Sequence, residues 1–137
     1  MAEIFVFLQK LIAFVAAIFG IFGINQKTTT VELYANPASG YTWEYSIDND
    51  DVLSLISSNY KPNISSIESG GGGTQQFTFE GVSEGTANVT FRYVSRTDGS
   101  VASGYIYTYK VNSSGKVELI EKNTISYTAH GIELILE

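Results

Sequence analysis

A period of two is the feature that most constrains what this chain can fold into. From Thr28 onward, short runs rich in β-branched and aromatic residues alternate apolar with polar side chains. They are VELY (31–34), TWEYSI (42–47), VLSLIS (52–57), QFTFEG (76–81), TANVTFRYV (86–94), GYIYTYKV (104–111), KVELIE (116–121), TISYT (124–128) and IELIL (132–136). Successive side chains of an extended strand point to opposite faces, so each run has one face for a core and one for water. In TANVTFRYV the core face is Val89, Phe91 and Tyr93, and the wet face is Asn88, Thr90 and Arg92. Between the runs lie turn formers: NPASG, IDNDD, SGGGG, SEG, RTDGS, NSSG and AHG. The spacing predicts an all-β sandwich or barrel of about nine short strands. A chain of 137 residues is long enough for one domain with a real core, and having no cysteine it must do without disulfides.

The first 24 residues break the pattern. After Lys10, 14 residues pass without a polar side chain, in a segment expected to be helical. Such a segment is a signal-peptide core or a short membrane anchor, which places the remainder outside the cytoplasm, secreted or tethered. Against a standard signal, Glu3 sits where positive charge is expected, so a helix retained in the fold is the competing reading. The chain therefore divides into residues 1–24 and a β domain over residues 25–137.

The composition excludes several chemistries. A net charge of −6 with eight scattered Lys and Arg argues against a surface that tracks phosphates, hence against nucleic acid. A serine or cysteine hydrolase needs a histidine base or a thiol, and the chain offers His130 alone, in the turn AHG. A zinc site lacks ligands for the same reason. Asp48, Asp50 and Asp51 lack the glycine and distal glutamate of a calcium loop and read as a solvated turn. The glycine run at 70–73 has no Gly-Lys-Ser/Thr ending and precedes a strand, so no helix dipole awaits a phosphate. Tyr105, Tyr107 and Tyr109 share one strand face and suit either a sugar-stacking platform or sandwich packing. No enzyme, cofactor or metal is expected.

One loop is specified closely. In NPASGYTW (36–43) proline fixes its own backbone and extends the residue before it, while Gly40 supplies a conformation other residues resist. This segment resembles the Asn-Pro-Thr-Thr-Gly-Tyr/Phe-x-Trp loop of the chagasin-type inhibitors of papain-like cysteine proteases. GGGGTQQFTF is similar to that family's Gly-x-Gly-Gly-Thr-x-x-Phe loop and strand, and LISSNYKPN to its strand ending in an Asn/Lys-Tyr-x-Pro turn. EGTANVTFRYV matches its Gly-Thr-x-x-Val-x-Leu/Phe-x-Tyr strand in order and spacing. The likeness runs from about Val31 to Val111, leaving a C-terminal extension from about residue 112.

The resemblance implies an immunoglobulin-like sandwich of seven to nine antiparallel strands with three protease-binding loops at one end. The first would be Asn36, Pro37, Ala38, Ser39, Gly40 and Tyr41, entering the active-site cleft as a wedge. The second would be Gly70, Gly71, Gly72, Gly73 and Thr74, and the third Ser95, Arg96, Thr97 and Asp98. It implies a reversible competitive inhibitor whose partner is a papain-like (clan CA) cysteine protease, acting as a monomer. Asn36 would bond back within its loop, Ser39 would offer its hydroxyl to the cleft, and Trp43 would pack under the loop. The chain departs from the family pattern where Arg-Pro-Trp is usual in the third loop: here the residues are Ser95, Arg96 and Thr97. Loss of an aromatic anchor costs about one to several kcal/mol in interfaces generally. That departure favours the alternative, a surface module on the same scaffold that binds a glycan or adhesion partner. The family's first strand also has no counterpart before Val31, and the tail sequence GIELIL (131–136) is the expected substitute.

Overall fold

The computed structural model of the protein describes residues 26–63, 71–128, 131 and 133–136. The apolar segment 1–24 and His130 lie outside those residues. Eight strands follow in order: β1 (Thr28–Ala35), β2 (Tyr41–Ile47), β3 (Leu53–Pro62), β4 (Gly73–Gly81), β5 (Gly85–Ser95), β6 (Val101–Val111), β7 (Val117–Tyr127) and β8 (Glu133–Leu136). They form two antiparallel sheets, one of three strands in the order β1-β4-β3 and one of five in the order β2-β5-β6-β7-β8.

The alternating pattern places the core between the sheets. Val31, Leu33, Phe77 and Phe79 come from the smaller sheet, and Val89, Phe91, Tyr107 and Tyr109 from the larger, all buried. Phe91 is the meeting point, its ring 5.2 Å from Phe77, 6.0 Å from Phe79 and 5.4 Å from Tyr107. Each such ring removed from water stabilises the fold by about 1.5–3 kcal/mol. Tyr107 and Tyr109 thus belong to the core, and packing accounts for the tyrosine stripe. Only its margin stays partly open, where the Lys122 ammonium lies 5.3 Å from the Tyr105 ring and 5.2 Å from that of Tyr107.

Eight strands replace the nine runs because KVELIE and TISYT are one strand. Leu119 pairs with Tyr109 and Glu121 with Thr108, so Ile120 is an extra residue, a β-bulge. The bulge shifts the side-chain alternation halfway along β7 and makes a single strand look like two. Residues beyond 111 continue the larger sheet: Val117 and Ile125 are buried. The tail is paired, with β8 beside β7 at the sheet's edge. Glu133 of β8 accepts from Arg92 Nε at 2.9 Å and from the Tyr127 hydroxyl at 3.2 Å, tying the tail to β5. Burial works against the Arg92 charge, but the hydrogen bond and charge of Glu133 outweigh it and hold the guanidinium above its ordinary value.

The acidic turn has a structural use. Asp48 accepts from the Asn88 backbone N–H at 2.7 Å and its side-chain amide at 2.8 Å, clasping the end of β2 to β5. Among the described residues no group of three His, Cys, Asp or Glu side chains is placed to hold a metal. At the pole of the sandwich remote from Asn36, the Lys27 carbonyl accepts from Gly81 N–H and the Gln26 carbonyl from Val117 N–H.

Candidate functional site

The opposite pole carries the three loops. The first follows β1 directly and is a single 3₁₀ turn, Pro37–Ser39. Asn36 is extended (φ −135°, ψ 95°), as a residue before proline should be, and its side-chain oxygen accepts from Ala38 N–H at 3.1 Å. Proline occupies the first helical position, where its missing N–H costs nothing. Gly40 closes the turn in the left-handed region (φ 85°, ψ 5°), its N–H reaching the Pro37 carbonyl at 3.2 Å. Pro37, Ala38 and Ser39 stand exposed at the tip.

The expected bond-back of Asn36 is present. Ser39 differs from expectation: its hydroxyl donates to the Asn36 carbonyl at 2.6 Å, and its oxygen lies 3.4 Å from Tyr41 N–H. Its proton is thereby committed within the turn, and what the tip offers outward is mainly shape.

Beneath the turn lies a row of rings. Tyr41 stacks on Tyr93 at 5.3 Å, Tyr93 meets Trp43 at 4.8 Å, and Trp43 meets Tyr105 at 5.9 Å. Trp43 packs against the core, as expected, and its indole N–H donates to the Tyr34 carbonyl at 2.8 Å, fixing the end of β1. Tyr93 turns a core position into a support, its hydroxyl accepting from Asn36 N–H at 3.0 Å. Nothing in the alternation of β5 distinguishes this tyrosine from its neighbours Val89 and Phe91; a hydroxyl at the loop end of a core face was the available signal.

The second loop stands beside the first because Gly73 pairs with Ala35, the residue before Asn36. Gly73 and Thr74 belong to strand β4, Gly71 and Gly72 precede it, and Gly70 lies outside the described residues. The glycines at 72 and 73 serve close approach. A Cβ on Gly72 would collide with the Ala35 carbonyl oxygen, and one on Gly73 with that of Lys61. Gly72 also accepts from Asn63 N–H at 3.1 Å. Tyr34, 67% exposed on the outer face of β1, lines a groove here with Lys61, Pro62 and Thr74. Its place on the wet side of an alternating strand is the sequence signal for a solvent-facing ring.

The third loop closes the cluster from the other side. Ser95 pairs with Tyr41, and Arg96 N–H donates to the Gly40 carbonyl at 2.8 Å. The loop is internally braced: Gly99 N–H bonds the Ser95 carbonyl, the Ser95 hydroxyl oxygen lies 3.2 Å from Thr97 N–H, and Asp98 accepts from the backbone and hydroxyl of Ser100. These bonds from Ser100, its N–H foremost, hold the Asp98 carboxyl below its usual range. The Arg96 guanidinium, expected to face a partner, lies against the first loop, with Nη2 2.6 Å from the Pro37 carbonyl oxygen.

The site therefore gathers all three expected segments, and its described residues assemble no acid, base and nucleophile. What it can do is present a closed, rigid turn flanked by two braced loops. A family model for the chagasin family peptidase inhibitor I42 matches residues 24–111. Among solved structures, the crystal structure of the cysteine protease inhibitor EhICP2 from Entamoeba histolytica is 18% identical, with a TM-score of 0.43 over 52% of this chain and 62% of that one. The chain thus spans about three fifths of that inhibitor's length. No curated protein sequence matches. The family match covers more than half of the chain, the three loops included, and the chain belongs to the chagasin family, whose members are peptidase inhibitors and not enzymes.

Proposed function

We propose that the protein is a reversible, competitive inhibitor of papain-like (clan CA) cysteine proteases, built on an immunoglobulin-like scaffold. Residues 36–41 are the wedge that enters the cleft, and residues 70–74 and 95–98 flank it. The observation that carries this reading is the closed turn at the tip, exposed at Pro37, Ala38 and Ser39 and held by hydrogen bonds on both sides. Cleavage requires a peptide aligned with the attacking group at near-contact distance, and a 3₁₀ turn with a left-handed glycine does not offer one. A loop already ordered also loses little entropy on docking, so that contact area is converted efficiently into affinity. Residues 1–24 export the domain or tether it to a membrane, and it acts outside the cytoplasm as a monomer.

The test is a titration of papain and a cathepsin L-type enzyme with the purified protein, following hydrolysis of a small fluorogenic substrate. Saturating competitive inhibition, with the added protein uncut at the end, is the expected result. Absence of inhibition of either enzyme at tens of micromolar, the order of a weak complex, would refute the reading and leave a surface-binding module in its place.

A further inference from the structure

We infer that Arg96 is the positioning residue of the wedge, and that the third loop acts on a protease through the first loop; the inference rests on the inhibitory reading above. Two bonds from this one residue reach the two ends of the tip. Its Nη2 donates to the Pro37 carbonyl, at the start of the 3₁₀ turn, and its backbone N–H to the Gly40 carbonyl, at the end. The Pro37 oxygen is also the acceptor for Gly40 N–H, so the guanidinium reinforces the bond that closes the turn. A charged donor to a carbonyl makes one of the stronger bonds available to an exposed loop.

Arg96 can hold the turn because it is itself held. Ser95 is anchored in β5 opposite Tyr41, and its carbonyl and hydroxyl organise residues 97–99. Asp98 binds Ser100, and Ser95 N–H bonds the Ser100 carbonyl, so the loop returns to β6 as a stiff hairpin. The guanidinium thus projects from a fixed base onto the turn. Where the family pattern has a tryptophan in this loop, Thr97 is exposed and small, and the rigidity supplied by Arg96 is the contribution the loop retains.

The test separates positioning from contact. In the free protein, ¹⁵N relaxation of the Ala38, Ser39 and Gly40 amides reports the order of the turn, and papain inhibition is measured in parallel. Arg96→Gln is expected to lower those order parameters from the rigid range near 0.85 toward about 0.6 and to weaken inhibition about tenfold, while the melting temperature barely moves. Arg96→Lys, which keeps a charged donor but not the planar fork, should restore part of both. Unchanged order in Arg96→Gln overturns the inference. Weakened inhibition without it would mean that Arg96 touches the protease, and disorder with full inhibition would mean that the wedge does not need the bond. If the parent fails to inhibit, the functional reading falls on its own, and the relaxation arm still decides whether Arg96 orders the turn.

Discussion

Gly40→Ala is the substitution whose cost can be worked most directly from the structure. Gly40 has φ 85°, in the left-handed region, and an added Cβ would meet nothing within 4 Å. The steric surroundings contribute nothing, so the whole cost is the backbone's own, about 1–2 kcal/mol for an L-residue held there. The fold can carry that strain, in which case the midpoint of thermal unfolding drops by about 5–10 °C for a domain of this size. Alternatively the turn escapes it by releasing the bonds to Pro37 and Arg96, and inhibition weakens about 5- to 30-fold, since each 1.4 kcal/mol is tenfold. The assay pairs near-ultraviolet circular dichroism melts, sensitive to the ring stack under the loop, with inhibition constants from substrate hydrolysis. Gly99→Ala is the control: φ is 76°, the space around it is equally open, and it lies in the third loop away from the tip. It should lower stability similarly while affecting inhibition less. A Gly40→Ala protein that melts and inhibits like the parent would refute the claim that this conformation holds the wedge.

Three further outcomes are expected. Tyr93→Phe removes the acceptor for Asn36 N–H while leaving the rings stacked, and should cost about 1 kcal/mol, read as a several-fold loss of inhibition; no loss would show that the hydroxyl does not support the loop. Gly73→Ala should destabilise the whole fold by several kcal/mol, because the new methyl collides with the backbone of β3 and β4 cannot shift without unpairing β1; urea midpoints measure it, and a shift below about 1 kcal/mol would contradict the close approach. Alkaline pH should destabilise the protein. Burial, with the neighbouring Tyr107, raises Tyr109 well above its usual value, so the folded state keeps a proton that the unfolded chain releases above pH about 10. The Tyr109 contribution to stability is therefore full below that pH and falls as pH rises above it, which thermal midpoints followed by circular dichroism should show; a midpoint that does not fall above pH about 10 would refute this.

How much of this was legible in the sequence depended on whether a signal was local. The alternation of β5 and the Asn-Pro and Gly punctuation of the first loop act over a few residues, and the structure follows them closely. The bulge at Ile120 was not legible as a bulge, because a shift of alternation within one strand looks the same as a break between two, and only the pairing with β6 tells them apart. The glycines at 72 and 73 announced a special backbone without saying which kind. Their cause is the approach of the Ala35 and Lys61 carbonyls, from residues at least ten positions away in the chain. The bond from Arg96 to the first loop was not legible for a related reason: only the fold shows that an acceptor for this arginine lies in the same molecule. Tyr93, counted as core, became a hydrogen-bond acceptor for the loop through the meeting of two strand ends.

The position of Gln26 and Lys27 has a practical side. Their carbonyls bond at the end of the sandwich where β4 finishes and β7 starts, while β1 then runs its eight residues, about 25 Å at 3.3 Å each, before reaching Asn36. A biotin, a sensor surface or a fused reporter joined directly to Gln26 would therefore stand at the far pole, with the width of the domain between it and the loops. The molecule can be immobilised by that side and still leave its working end facing the solution.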